Sequence, residues 1–143
     1  MKRDEEASAP LGIEDALAQL SFLVHGVVGK IGAEHDLSVI QARLLGILRD
    51  RSPGMNELAR YLELDKSSIT GLVDRAERRG LVRREPSRSD GRAVDVVITP
   101  AGRKLVSRLQ AEFEKKIAVL VGVLTPAERA SLSRLASRIV ARD

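Results

Sequence analysis

Residues 65–80 read Asp65-Lys66-Ser67-Ser68-Ile69-Thr70-Gly71-Leu72-Val73-Asp74-Arg75-Ala76-Glu77-Arg78-Arg79-Gly80, and the chain continues through Arg83-Arg84-Glu85-Pro86-Ser87-Arg88-Ser89-Asp90-Gly91-Arg92 to Ile98-Thr99. Ile69, Leu72, Val73 and Ala76 recur at three- and four-residue spacing, which predicts a helix over Lys66 to Arg79 with those side chains buried. Asp65 can cap it by accepting amides of the first turn, and Gly80 supplies a left-handed stop. After Gly80, Leu81 to Glu85 and Ala93 to Thr99 are rich in β-branched residues and alternate. Val94, Val96 and Ile98 fall on one face and Asp95 on the other, with Asp90-Gly91 as the joining turn signal. The unit is a short helix followed by an arginine-flanked hairpin.

The outward side of that helix carries Ser67, Thr70, Gly71, Asp74, Arg75 and Arg78. Short hydrogen-bonding groups near the N-terminus, with guanidinium groups further along, suit a helix that enters the major groove of duplex DNA. Its positive N-terminus adds attraction for phosphate. Between Lys66 and Arg92 eight basic residues face four acidic ones, which matches the formal charge of +4 for all 143 residues. The basicity is therefore local, as a nucleic-acid footprint is. A merely solvated basic face is the alternative reading of these arginines. Arg78, Arg79, Arg83 and Arg84 could each be a phosphate clamp, an ion-pair partner or a solubilising group, whereas Arg88 and Arg92 sit at the hairpin tip.

Upstream, Leu17, Leu20, Val24, Val27, Val28 and Ile31 predict an amphipathic helix from Leu11 to about Ala33. Ser38 caps a second helix through Leu44, Leu45, Ile47 and Leu48, ended by Ser52-Pro53-Gly54. A third runs from Met55 to Leu62, and Tyr61-Leu62-Glu63-Leu64-Asp65 forms the tight connection of a helix-turn-helix. Downstream, Thr99-Pro100 opens a long helix reaching about Val123, with Leu105, Leu109, Phe113, Ile117 and Leu120 or Val121 on one stripe. Thr125-Pro126-Ala127-Glu128 is a capping box for a last helix that turns Leu132, Leu135 and Ile139 inward. A fifth helix of about two dozen residues measures roughly 33 Å, as wide as a small domain. Half of it must project, and its leucines need a partner surface, because exposure forfeits roughly 1.5 to 3 kcal/mol each. A two-fold dimer supplies one.

Composition narrows the function. With no cysteine, disulfides, thiolate zinc sites and a thiol redox switch are excluded, and a reducing cytoplasm suits the chain. Phe22, Phe113 and Tyr61 are the only aromatics, too few for a single-stranded stacking platform. Met1 to Pro10 is charged and lacks an apolar segment, and no run of about eighteen apolar residues is evident, so neither secretion nor membrane spanning is expected. No serine elbow, phosphate loop or opposed carboxylate pair suggests an enzyme. His25 and His35 are the only histidines. Adjacent side chains in Glu34-His35-Asp36 diverge on a helix end, so no metal is expected there. His25 reads as a partly buried structural histidine, or as an effector contact or pH-sensitive group beside Gly26, Gly29 and Gly32. Those glycines make a smooth face for a crossing helix or leave room for a small molecule at Gly29. They have the wrong spacing and context for a dinucleotide fingerprint.

The motifs Glu57-Leu58-Ala59, Asp65-Lys66-Ser67-Ser68-Ile69-Thr70, Leu72-Val73-Asp74-Arg75, Arg79-Gly80-Leu81-Val82, Asp90-Gly91-Arg92 and Ile98-Thr99-Pro100-Ala101-Gly102 are weak singly and specific in this order. Together they resemble the MarR family of winged-helix transcriptional regulators over nearly the whole chain. The resemblance implies one domain over 1–143, mainly α with a small β-hairpin wing. A winged helix-turn-helix lobe at 38–99 would join a dimerisation lobe built from 11–35 and 100–142. It implies a homodimer, each winged helix reading half of an inverted repeat. It also implies phenolic or otherwise anionic effectors bound between the dimer helices and the DNA lobe. Carried onto this sequence, Arg92 would enter the minor groove with Asp90 holding its guanidinium; a narrow A/T-rich groove attracts such an arginine. Two positions depart from the pattern: Gly71 replaces a common arginine after the recognition-helix threonine, and Gly54 replaces a Ser or Thr cap.

The expected function is a cytoplasmic, nucleoid-associated regulator, a repressor that occupies a pseudo-palindromic site without a cofactor. Ser67, Ser68, Thr70 and Arg75 are expected in the major groove, Lys66 on phosphate, and Arg88, Asp90 and Arg92 on the wing. His25 and Gly29 are the candidate effector contacts. A winged-helix protein-interaction module and a nonspecific architectural DNA-binding protein are the alternatives.

Overall fold

The computed structural model describes residues 9–142, so most of the charged N-terminal stretch, up to residue 8, lies outside the described residues. Six helices and one hairpin follow in the order α1 Ile13–Glu34, α2 Val39–Leu48, α3 Met55–Leu62, α4 Lys66–Arg78, β1 Val82–Pro86, β2 Val94–Ile98, α5 Pro100–Leu120 and α6 Pro126–Val140. Every expected element is present, with ends displaced by a few residues at most. The largest displacement is at α5, whose last expected turn, Val121–Val123, winds as a 3-10 helix.

Local chemistry explains the boundaries. Ser38 caps α2 and exchanges hydrogen bonds with Gln41, a full capping box. Asp65 caps α4 through the Ser68 amide, and Thr125 and Glu128 close the box of α6. Gly80 takes φ +72° and ends α4 in the left-handed conformation. The Thr99 hydroxyl accepts from the Gly102 amide at 3.1 Å and donates to the Gly80 carbonyl at 2.6 Å, which ties the start of α5 to the end of α4.

The core lies where α2, α3, α4 and the hairpin meet. Leu44, Leu45, Leu48, Leu58, Ile69, Leu72, Val73, Val82 and Val96 are fully buried there. All four expected apolar positions of α4 belong to it. β1 and β2 pair antiparallel from Val82 opposite Ile98 to Pro86 opposite Val94. Val96 and Ile98 are buried as the alternation predicts, but Val94, beyond the helices at the outer end, stays exposed. A short third segment joins the free edge of β2: the Val96 amide donates to the Pro53 carbonyl, and Gly54 bridges Asp95. Gly54 thus has a pairing role in place of the side-chain cap it lacks.

α5 crosses this lobe through a close approach at Gly102. A Cβ there would run into the Leu81 carbonyl oxygen and sit 2.7 Å from Ile98 Cγ1. Gly102→Ala is therefore expected to destabilise the protein by roughly 2 to 3 kcal/mol through overpacking, and calorimetry should show Tm lowered by roughly 5 to 10 °C.

α1 packs its C-terminal half on α5 and α2. The N-terminal half projects, leaving Ile13, Leu17, Phe22 and Leu23 exposed, and α6 buries no residue, so Leu132, Leu135 and Ile139 face outward in the single chain instead of inward. By length and composition α1 can also cross a membrane, its most apolar window having a mean hydropathy of 1.3. That corrects the expectation that no such stretch exists: leucines, valines and Ile31 raise the average, while Gln19, His25 and Lys30 interrupt them so that no continuous apolar run is visible. The window is only 11% buried within the chain.

Candidate nucleic-acid interface

α4 presents Lys66, Ser67, Ser68, Thr70 and Arg75 on its exposed side, as the periodicity requires. Asp65 organises the first turn. Its carboxylate accepts from the Ser68 amide at 2.7 Å and from the Ser67 hydroxyl at 2.9 Å. These hydrogen bonds, the Ser68 amide first, hold Asp65 below the usual carboxylate range. Thr70 donates its hydroxyl proton to the Lys66 carbonyl at 2.8 Å, so its oxygen is left to accept. A helix N-terminus with oriented short side chains and an adjacent lysine can hold a phosphate and offer hydrogen bonds to base edges.

Arg84 of β1 sorts the charges behind this face. Its guanidinium reaches Asp74 at 2.7 Å and Glu77 at 3.2 Å, and its amide donates to the second oxygen of Glu77 at 3.0 Å. The two carboxylates of α4 that would repel phosphate are thereby engaged from the wing side. Arg83 pairs with Glu85 at 2.6 Å. Arg79 donates to the His35 and Asp36 carbonyls at the α1–α2 turn. These three arginines are ion-pair and carbonyl partners. Lys66, Arg75, Arg78, Arg88 and Arg92 are exposed and have no such intramolecular partner among the described residues.

The wing tip is a seven-residue loop, the width that the expected strand ends leave. The ladder ends at Pro86 and Val94, and Ser87 to Ala93 form a loop closed by the Ser87 amide on the Ala93 carbonyl and the Ala93 amide on the Asp90 carbonyl, both at 3.0 Å. Ser87 Oγ accepts from the Ser89 and Asp90 amides, each at 3.3 Å. The Asp90 carboxylate accepts from the Arg92 amide at 3.1 Å, a contact to the backbone in place of the guanidinium contact the resemblance implied. An aspartate two residues upstream reaches that amide by a local turn, so it orders the loop while the Arg92 side chain projects.

A second feature lies between the lobes. Val28, Ile31, Gly32, Arg43, Arg49, Val106, Leu109, Gln110 and Phe113 are among the residues lining a cavity of about 230 Å³ bounded by α1, α2 and α5. Its walls are apolar, with arginines and a glutamine at the polar end; Arg49 donates to Gln110 at 2.7 Å. His25 and Gly29 do not line it. His25 is exposed, contrary to its reading as partly buried, because that stretch of α1 has left the lobe. His35 is the half-buried histidine, paired with Glu112 of α5 at 3.0 Å. Of the three glycines, Gly32 is the one that needs to be small, since a Cβ would meet the Leu37 carbonyl oxygen at 2.7 Å.

The comparisons with known proteins agree with this architecture. A family model described as MarR family matches residues 35–93. The HTH-type transcriptional repressor NicR of Pseudomonas putida is 30% identical over 152 residues, covering 99% of this chain and 96% of its own. The solved structure of Bordetella bronchiseptica BpsR, whose DNA binding is regulated by 6-hydroxynicotinic acid, superposes with a TM-score of 0.74 at 22% identity, covering 100% of this chain and 99% of that one. Staphylococcus aureus MepR, solved in complex with DNA, superposes with a TM-score of 0.72 at 19% identity, covering 92% and 98%.

Proposed function

Since the chain belongs to the MarR family of transcriptional regulators, we propose that it acts as a homodimeric, sequence-specific repressor in the cytoplasm, released from a pseudo-palindromic operator by a small aromatic acid. The observation that carries the DNA reading is the division of charge on one face. Arg84 engages the acids of α4, while Lys66, Arg75, Arg78, Arg88 and Arg92 remain exposed along the helix and wing. α4 would lie in the major groove with Ser67, Ser68, Thr70 and Arg75 toward base edges, and Lys66 would hold phosphate. Arg88 and Arg92 would track the flanking minor groove, with Asp90 shaping the loop between them. The exposed apolar residues of α1, α5 and α6 support the dimer, and they give α1 a helical partner that accounts for its hydropathy without a membrane.

The effector reading rests on the cavity between α1, α2 and α5. Its apolar walls suit a single ring and Arg43 is the cation at its edge for a carboxylate, Arg49 being held by Asp50 and Gln110; BpsR is a structural neighbour that responds to such an acid. Movement of α1 or α5 around such a ligand would change the separation of the two DNA lobes.

Anisotropy titration against duplex from the chain's own promoter region tests the function. Binding to one site far above scrambled duplex supports it. Equal retention of all duplexes would indicate an architectural protein, and no retention an interaction module. With a specific site in hand, Arg92→Ala should weaken binding by roughly 1 to 3 kcal/mol, mostly at A/T-rich flanks, and unchanged affinity would remove the wing from the contact surface.

A further inference from the structure

Gly71 sits in the middle of α4, where glycine is a poor helix former and no backbone crosses close to it. A Cβ built at this position meets a single atom within 4 Å, Nη1 of Arg75 at 3.2 Å. The Arg75 guanidinium therefore lies back across the bare Gly71 backbone. Helix side chains lean toward the N-terminus, and four residues correspond to about 6 Å of helix. That displacement decides what the arginine can touch. Arg75 is the tenth residue of a thirteen-residue helix, whereas a recognition helix reads bases from its N-terminal turns. Folded over Gly71, the guanidinium arrives beside Ser67 and Ser68, and all of these border one open cleft of about 270 Å³ floored by Ile40 and Leu64. It also arrives unpaired. Its neighbours Asp74 and Glu77 are held by Arg84, and Arg75 has no ion pair among the described residues.

We propose that Gly71 and Arg75 form one unit that reads guanine. The missing side chain leaves the notch in which the arginine lies along the helix, and the fork of the guanidinium donates to O6 and N7 of a guanine in the major groove. Gly71 is then a specificity determinant in spite of having no side chain. The unit rests on the DNA-binding function proposed above and goes beyond it by naming the base and the device that presents the arginine to it.

The test begins with selection of a randomised duplex library by the parent protein. Anisotropy then compares the selected duplex with copies in which each guanine of one half-site is replaced in turn by 7-deazaguanine, which still pairs but lacks N7. One such copy should bind the parent at least about 5-fold more weakly. Arg75→Ala should be indifferent to that replacement, and so should Gly71→Leu. The Arg75→Ala, Gly71→Leu double variant should discriminate no worse than Arg75→Ala alone, because the two residues act together. Gly71→Ala keeps the test independent of folding, since it should raise Tm while reducing the discrimination. If Gly71→Leu discriminates like the parent, or if its effect persists without Arg75, the guanine-reading unit is overturned. A parent that enriches no sequence overturns the repressor function itself, and this unit with it.

Discussion

Leu135→Glu is expected to sediment as a single subunit at concentrations where the parent is a dimer, and to lose most of its operator affinity while its far-UV circular dichroism stays unchanged. Leu135 lies in the middle of α6, a helix with no buried residue in the single chain, and is 46% exposed there. A charge at that site therefore costs little within one subunit. In a two-fold dimer it appears twice. Each copy removes a leucine whose burial contributes roughly 1.5 to 3 kcal/mol and places a carboxylate against the exposed apolar side chains of α1 and α6. Two such losses raise the dimer dissociation constant at least about 10²-fold. The effect on DNA follows from geometry. Once one winged helix has bound, the other is held close to its half-site, and that tethering is worth roughly 10²- to 10⁴-fold in affinity. Analytical ultracentrifugation and anisotropy on the same preparation measure both losses. A monomeric variant that binds the operator like the parent would end the inverted-repeat reading, and a variant that remains dimeric would move the interface away from α6.

The same dependence on neighbours explains what could be read in the chain before its fold. Caps and stops are local, so Ser38, Asp65, Gly80, Thr99 and Thr125 announce the ends of their helices. The buried face of α4 is visible because helical periodicity alone selects Ile69, Leu72, Val73 and Ala76. Contacts between distant segments leave no such trace. Nothing in the order of residues assigns Arg84 to Asp74 and Glu77, or Arg79 to the turn carbonyls at 35 and 36, so four neighbouring arginines look equivalent until the strand is laid beside the helix. The pairing of Pro53 and Gly54 with β2 was hidden for the same reason, and so was His35 with Glu112, which the metal-like triplet obscured. The width of the wing tip was legible from the expected strand ends at Glu85 and Ala93, but not what holds it: three hydroxyl and carboxylate contacts to backbone amides, from Ser87 and Asp90, stabilise a seven-residue loop. The cavity is lined by residues of three helices, and only Gly32 among its liners belongs to the glycine series that drew attention to α1.

That sorting of arginines sets the salt dependence of binding. Were all eight basic residues between Lys66 and Arg92 on phosphate, a dimer would neutralise far more charge than if Arg79, Arg83 and Arg84 remain on their protein partners. Between Lys66 and Arg92 five cations of each subunit are exposed and without an intramolecular partner among the described residues, namely Lys66, Arg75, Arg78, Arg88 and Arg92. With Arg75 directed to a base, four cations per subunit are left for phosphate, so about six to eight phosphates per dimer are neutralised, which gives a slope of log affinity against log salt of roughly −5 to −7. Affinity should accordingly fall roughly 10³- to 10⁴-fold between about 50 and 200 mM salt. Arg78→Ala, which removes one exposed cation per lobe, should make the slope shallower by roughly 2 for the dimer and weaken all duplexes alike. Arg83→Ala, which breaks only a pair with Glu85, should leave the slope where it was. A parent slope near zero would mean that the basic face does not touch the phosphate backbone. A slope that responds to Arg83 and ignores Arg78 would mean that the ion pairs of the wing open on binding, and that the division of charge drawn from the isolated chain does not survive contact with DNA.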